Sequence, residues 1–287
     1  MDEGPSSRGV LYLVATPIGN REDITLRALR VLREVDRVLA EDTRRTRTLL
    51  RALGVEARSV ERLDDHVIRQ KTEQLVRDLV AGQSIALVSD AGTPVVSDPG
   101  AWLVRHAAEA GVRVEAVPGA SAALAALAVS GLSGSGFRFV GFLPREGTER
   151  RTAMAHIAHD ELATVLFESP ARTHQTLEEL CVVCGPGRSA TLARELTKTH
   201  EEVRRGSLAH LRDATRDGVL GEVTLVIGGY EPRADERETD AGLDRALDAA
   251  LAAGMKPSDA AREVARALGM PRAEVYQRAL ERRPRGR

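Results

Sequence analysis

Two strand-to-loop junctions carry the residue types best suited to chemistry. The first is Ala15-Thr-Pro-Ile-Gly-Asn20, which follows an apolar run starting at Val10; the second, after a run starting at Ile85, gathers Asp90, Gly92, Thr93, Pro94, Ser97, Asp98 and Gly100 in one loop. Ligands of open α/β sheets sit at such strand ends. Glycine and proline there expose bare backbone, so a nucleotide-like small molecule is the expected occupant. Asp90 has two readings: a hydrogen-bond acceptor for that ligand, or a brace for its own turn.

A third candidate is Lys198, beside Glu195. Lysine plus arginine total 41, yet lysine stands only at 71, 198 and 256. Where charge alone matters the chain uses arginine, which holds its proton, whereas a desolvated lysine can release one. Lys198 is therefore a candidate base, or a group that orients a hydroxyl. Its competing role is a salt bridge to Glu195 or Glu201. His200 has a suitable pKa range but no visible partner.

These groups need elements to hold them. Asp23 is expected to cap a helix whose Ala28, Val31, Leu32 and Val35 form one apolar face. Strands are expected at 85–88 and 112–117, and Ser121 should cap a small-residue helix running to Val129. This alternation predicts an α/β unit with largely parallel pairing. A second α/β unit follows, with strands near 164–167, 190–195, 201–206 and 222–227. The charged stretch 231–240 reads as a linker, and three short helices follow it. The boundaries are thus 1–132, 133–230, a linker at 231–240, and a helical segment at 241–287.

Composition narrows the classes. With 287 residues, 43% hydrophobic and 29% charged, a soluble globular chain with a sizeable core is expected. A net charge of −1 argues against a uniformly basic nucleic-acid binder, so polyanion contact must come from patches. One patch is Arg44, Arg45, Arg47 and Arg51; another runs from Arg278 to Arg287. Either could be a solvated face, and Asp42 could simply cap the helix that carries the first. Cys181 and Cys184 lack neighbours for a zinc site and read as core thiols. Neither a Gly-x-Gly-x-x-Gly turn nor a Walker loop is present. No membrane-spanning run or secretion signal is evident, which points to the cytoplasm.

Nearly the full length resembles the ribosomal RNA small subunit methyltransferase I family of the tetrapyrrole (precorrin-like) methylase superfamily. The resemblance rests on Leu11-Tyr-Leu-Val-Ala-Thr-Pro-Ile-Gly-Asn20, Glu41-Asp-Thr-Arg44, Ser89-Asp-Ala-Gly-Thr-Pro94, Asp98-Pro-Gly100, Val117-Pro-Gly-Ala-Ser121, Phe167-Glu-Ser-Pro170 and Arg194-Glu-Leu-Thr-Lys198. It implies two α/β domains of tetrapyrrole-methylase type and a small C-terminal helical domain. It also implies a homodimer, with S-adenosylmethionine in the cleft, no metal, and 2′-O-methylation of a decoding-centre cytidine in 16S rRNA, within the small ribosomal subunit. By position, Gly92, Thr93, Pro94, Val95, Val96, Ser121, Ala122 and Phe167 should line the cofactor site, and the reading of the two junctions adds Thr16, Pro17, Ile18, Gly19 and Asp90. Lys198 and Glu195 would serve catalysis. Arg44, Arg45, Arg47, Arg278, Arg282 and Arg283 would hold RNA. Ala15–Asn20 and Gly92-Thr-Pro94 depart from the glycine-rich loops of tetrapyrrole-acting relatives and favour the RNA branch. Other readings are a methylase of a tetrapyrrole-like small molecule, or a nucleotide-sensing regulator whose helix-turn-helix tail binds DNA.

Overall fold

Runs such as Ile85-Ala-Leu-Val88, buried at every position, need cover on both faces, which is the condition for a parallel sheet flanked by helices. A computed structural model describes residues 8–64, 67–95, 100–132, 134, 136–231, 234–252 and 255–282. Five parallel strands, β1 (Val10–Val14), β2 (Arg37–Ala40), β3 (Val60–Arg62), β4 (Ile85–Val88) and β5 (Arg113–Val117), pair in the order β3-β2-β4-β1-β5. On one face Val14, Val38, Ala86 and Val88 pack with residues of α1 (Leu26–Glu34) and α2 (Thr43–Ala52). On the other, Leu11, Leu39, Ile85 and Leu87 pack with α3 (Ile68–Val80) and α4 (Ala101–Glu109). The alternation of Leu39 with Val38 and Ala40 between faces is the period-two pattern of a strand.

The parallel pairing expected from the sequence holds in this sheet. The cap of α1 differs: Thr25 Oγ1 accepts from Ala28 N at 3.1 Å, while Asp23 belongs to a 3-10 turn at Arg21–Asp23. Thr25 lies immediately before the first helical residue, where a cap must be, and Asp23 is two residues too early. The short strands β2 and β3 were not expected from the sequence. At four and three residues they carry too few positions to show a period.

The second sheet is mixed. Strands β6 (Phe137–Phe142), β7 (Ala163–Glu168), β8 (Ser189–Arg194), β9 (Glu202–Ser207) and β10 (Val223–Ile227) run in the order β6-β7-β10-β8-β9. Only β6 and β7 are parallel; β10 inserts antiparallel between β7 and β8, and β9 pairs antiparallel with β8. Helices α6 (Gly147–His159), α7 (Pro170–Cys184) and α8 (Leu208–Ala214) cover one face, with Cys181 in that core. Burial pushes both thiols, Cys181 and Cys184, above their ordinary pKa, as expected for packing residues.

Helix α5 (Ala122–Ser130) covers the other face. Its sequence, Ala-Ala-Leu-Ala-Ala-Leu-Ala-Val-Ser, is apolar all round. Ala123, Ala126 and Leu127 pack with Val165, Ala193 and Val226 of the second sheet, and Ile18 joins them. Residues from both halves therefore share one core, and the chain up to Tyr230 forms one compact unit.

A second unit begins at Glu231. It holds α9 (Ala234–Ala252), α10 (Pro257–Leu268) and α11 (Arg272–Glu281) around Leu243, Leu247, Val264, Val275 and Ala279. Helix α9 starts inside the charged stretch read as a linker. A shortage of apolar residues lowers burial, but Ala, Glu and Arg propagate helix well. Gly269 ends α10 with φ 66°, the left-handed cap its position predicts.

The edge of the first sheet depends on one cation. Arg37 donates to both oxygens of Glu61 at 2.8 and 2.7 Å and to Asp78 at 2.6 Å, tying β2 to β3 and α3. The hydrogen bond from Arg37 is the main cause holding the Glu61 carboxyl below its ordinary value of 4.5. A depressed folded pKa means the stabilisation is complete above that value and is lost as pH falls below it. Arg37→Met should lower unfolding free energy by about 2 kcal/mol at neutral pH in urea titrations. The deficit should shrink when the same titrations are run below pH 4.5; a deficit independent of pH would contradict the assignment.

Candidate functional site

The carboxyl ends of the parallel strands converge on one clamp. Thr16 N donates to Gly92 O at 2.9 Å and Gly92 N donates back to Thr16 O at 3.0 Å. Thr16 Oγ1 donates to Ser89 O at 3.1 Å, and Ser89 Oγ donates to Gly92 O at 2.9 Å. All of this is buried, so the two junctions singled out by composition are one structure. Gly92 has φ +84°, a conformation that calls for glycine, and a Cβ there would make a tight contact, 3.3 Å, with Ile18 Cγ2.

Above the clamp lies a cavity of about 470 Å³, within the usual range for a small-molecule site. Its floor is Ile18, Gly92 and Thr93 with the start of α5 at Ser121 and Ala122; its opposite wall is Phe142, Phe167, Glu222 and the start of β10 at Val223 and Thr224. Ser121 caps α5, accepting from Leu124 N at 3.4 Å, so the first turn of that helix presents backbone N–H groups here. Phe139, Phe142 and Phe167 form an aromatic cluster, with ring centroids 5.0 Å apart for Phe139–Phe167 and 5.6 Å for Phe142–Phe167.

Three carboxylates line this cavity, in different states. Glu168 is 2% exposed and fully engaged, accepting from Thr176 Oγ1 at 2.7 Å and Ser169 N at 2.7 Å and pairing with Arg172 at 2.6 Å. A buried charge so paired is a structural wall. Asp90 accepts from Asp42 N at 3.2 Å and meets Arg45 at 3.2 Å. It therefore ties the β4 loop to the start of α2, where Asp42 caps the helix by accepting from Arg44 N and Arg45 N. Glu222, the third, is the most exposed.

Lys198 lies beside the lining, joined to it through Glu222. Its Nζ donates to Glu195 at 2.9 Å and to Glu222 at 3.0 Å. Burial pulls its pKa down, but the hydrogen bonds it donates to two carboxylates, with their negative charge, outweigh that and hold it above its ordinary 10.5. In this arrangement Lys198 is a charged donor. The salt bridge to Glu195 weighed from sequence is present; Glu201 instead accepts from Thr197 N at 2.5 Å. The loop carrying Lys198 is strained. Among the described residues, the non-glycine positions with left-handed φ are Val95 at 73°, Glu195 at 50° and Thr197 at 66°. Such conformations cost roughly 1–3 kcal/mol each and cluster where geometry is held for function.

Of the residues assigned to a ligand from sequence, Ile18, Asp90, Gly92, Thr93, Ser121, Ala122 and Phe167 line the cavity. Thr16, Pro17, Pro94 and Val95 do not. Thr16 turns its hydroxyl into the clamp, and Pro17 and Pro94 are buried beside it. Gly19 does not line it either: a Cβ there would lie 2.4 Å from Lys198 Cγ, so its bareness admits the lysine stem. Val96 lies outside the described residues, as does Arg283. Sequence reasoning missed Phe142, Glu222, Val223 and Thr224. No local motif marks them: Phe142 ends β6, and Glu222 to Thr224 reach the cavity through the antiparallel insertion of β10. Arg45, expected on RNA, lies at the cavity mouth against Asp90. Arg278 and Arg282 bind Asp244 and Asp248, holding α11 to α9 within the C-terminal unit. Arg44 and Arg47 are exposed on α2.

Residues 10–212 match the family of tetrapyrrole (corrin/porphyrin) methylases, and residues 237–283 match the RsmI C-terminal HTH domain. The uroporphyrin-III C-methyl transferase of Thermus thermophilus, solved with S-adenyl homocysteine, shares the fold: TM-score 0.56 at 22% identity, covering 77% of this chain and 97% of that one. The ribosomal RNA small subunit methyltransferase I of Mesorhizobium japonicum is 45% identical over 94% of this chain and 91% of its own length. That of Escherichia coli O157:H7 is 41% identical, covering 96% of each. The chain belongs to the ribosomal RNA small subunit methyltransferase I family of these methylases.

The two carboxylates around Lys198 set a direct test. A ¹⁵N-detected titration of the lysine Nζ should show Lys198 still charged at pH 10.5, and Glu222→Gln should move its midpoint down. A midpoint well below the ordinary lysine value would contradict the geometry.

Proposed function

We propose that this chain transfers a methyl group from S-adenosylmethionine to the ribose 2′-oxygen of a decoding-centre cytidine in 16S rRNA, acting on the small ribosomal subunit. The observation that carries the reading is the cavity roofed by one sheet and floored by the other, in a chain whose relatives of that name match it over more than nine-tenths of its length. The lining suits the donor. Bare backbone at Gly92 allows close approach, Ser121 and Thr93 supply hydroxyls, Asp90 and Glu222 offer carboxylates to a cationic molecule, and Phe167 and Ile18 give apolar contact. When bound, the donor supplies an electrophilic methyl on a sulfonium.

The protein then has to place a hydroxyl in line with that methyl and manage its proton. Lys198, held charged between Glu195 and Glu222, orients the ribose hydroxyl by donating to it. Taking up the proton falls to a carboxylate, and Glu222 both lines the cavity and shares Lys198. This revises the role of Lys198 as a base and keeps its role in orientation. Phe142, 59% exposed at the cavity edge, offers a face on which a base can stack.

Two copies of the chain and a cytoplasmic setting complete the reading. No helix among the described residues is long and apolar enough to cross a membrane. Light scattering should return twice the chain mass of 31.0 kDa.

The deciding experiment maps ribose methylation on 16S rRNA from small subunits treated with this protein and donor. A single new 2′-O-methylcytidine in the decoding region is expected; methylation elsewhere, or none, would sink the proposal. Lys198→Ala should lower kcat by about 10²-fold while donor affinity, read by calorimetry, stays within about twofold. Unaltered turnover in that variant would remove Lys198 from the mechanism.

A further inference from the structure

Helix α2 is the most basic element of the first sheet's cover. Four of its ten residues are arginine and none is acidic. Arg44, Arg47 and Arg51 recur at i, i+3 and i+7, so they share one face, and all three are exposed. Arg45 points the other way, to Asp90 and the cavity mouth. The helix, about 15 Å long, thus leads from the cavity along a line of guanidinium groups.

That line ends in an open groove of about 950 Å³ between α2, α1 and β3. Arg33, Arg47, Arg51 and Arg58 line it, with Glu56 the single carboxylate on its walls among the described residues. Two of the four are fixed: Arg47 donates to Val60 O at 2.9 Å, and Arg58 pairs with Asp36 at 2.9 Å. Each keeps further N–H donors, since a guanidinium carries five. Among the described residues, the guanidinium groups of Arg33 and Arg51 have no hydrogen-bonding or ionic partner. Like charges on shared walls repel one another, and an anion placed among them relieves that repulsion. The groove is long, polar and open, which suits an extended polyanion better than a compact ligand.

We infer that this groove binds the sugar-phosphate backbone of the RNA strand flanking the nucleotide held in the cavity, with Arg33 and Arg51 on phosphates and Arg44 and Arg47 leading into it. The inference rests on the proposed rRNA methylation and extends it to the path of the strand. It assigns affinity to α2 and its groove, whereas Arg278 and Arg282 are already neutralised by Asp244 and Asp248. Phosphate contacts of this kind add binding that weakens steeply with salt and carries no sequence preference.

The test uses the full chain with the double substitution Arg33→Gln, Arg51→Gln and purified small ribosomal subunits lacking the modification. Subunit binding and initial methylation rates are measured from low to moderate salt. The expected result is a rise in KM of about tenfold at physiological salt with kcat unchanged. The slope of log affinity against log salt should fall by about 1.4, the value for two single-strand phosphate contacts. The control pair Arg30→Gln, Arg105→Gln removes exposed arginines that sit in helix-surface ion pairs away from the groove and should match wild type. Unaltered KM and slope in the groove variant, beside a methylating wild type, overturn the groove alone, as does a loss confined to kcat. A wild type that neither binds nor methylates the particle overturns the groove and the rRNA reading together.

Discussion

The rest of the site depends on the reciprocal hydrogen bonds between Thr16 and Gly92. Each residue satisfies the other's backbone N–H and carbonyl in a buried place where an unmade bond would cost about 1–3 kcal/mol. The clamp brings the end of β1 against the end of β4, so two loops separated by more than seventy residues act as one floor. Ser89 and Thr16 add side-chain bonds that close the same ring. Gly92 can occupy its place because it tolerates φ +84° and needs no room for a Cβ. The bareness that permits the clamp also leaves backbone facing the cavity.

A second constraint joins the halves. Helix α5 follows β5 directly, yet its alanine and leucine side chains fill the inner face of the second sheet. Small residues let the helix approach closely, and its N-terminus ends up at the cavity. The roof and floor are therefore held at a fixed separation by the core beneath them. From the roof, Glu222, immediately before β10, accepts a hydrogen bond from Lys198. The chain of contact from Thr16 through Gly92, α5 and β10 to Lys198 is continuous packing and hydrogen bonding. It explains why strained residues, Glu195 and Thr197, persist at its far end.

The sequence made part of this legible. Glycine and proline at the ends of β1 and β4, and Ser121 before α5, are local signals, and the floor of the cavity was read from them. The resemblance to a known family added Phe167 and the pairing of two α/β sheets with a C-terminal helical unit. Non-local features stayed hidden. Nothing near Glu222 announces that β10 crosses between β7 and β8, so the roof was largely missed. Thr16 and Gly19 were assigned to a ligand because their residue types fit one; the structure gives them to the clamp and to the lysine stem. Charge counting showed that α2 and the tail were basic but not which arginines were already paired. Pairing depends on partners such as Asp244 and Asp248, one helix away in space and more than thirty residues away in the chain.

A crystal structure of the chain with S-adenosylhomocysteine tests the central claim most directly. Electron density for the whole ligand is expected in the cavity, bounded by Gly92 and Ser121 below and by Phe167 and Thr224 above, with the sulfur on the side nearer Glu222 and Lys198. Density elsewhere on the molecule, or a cavity left to solvent at saturating ligand, would contradict the account.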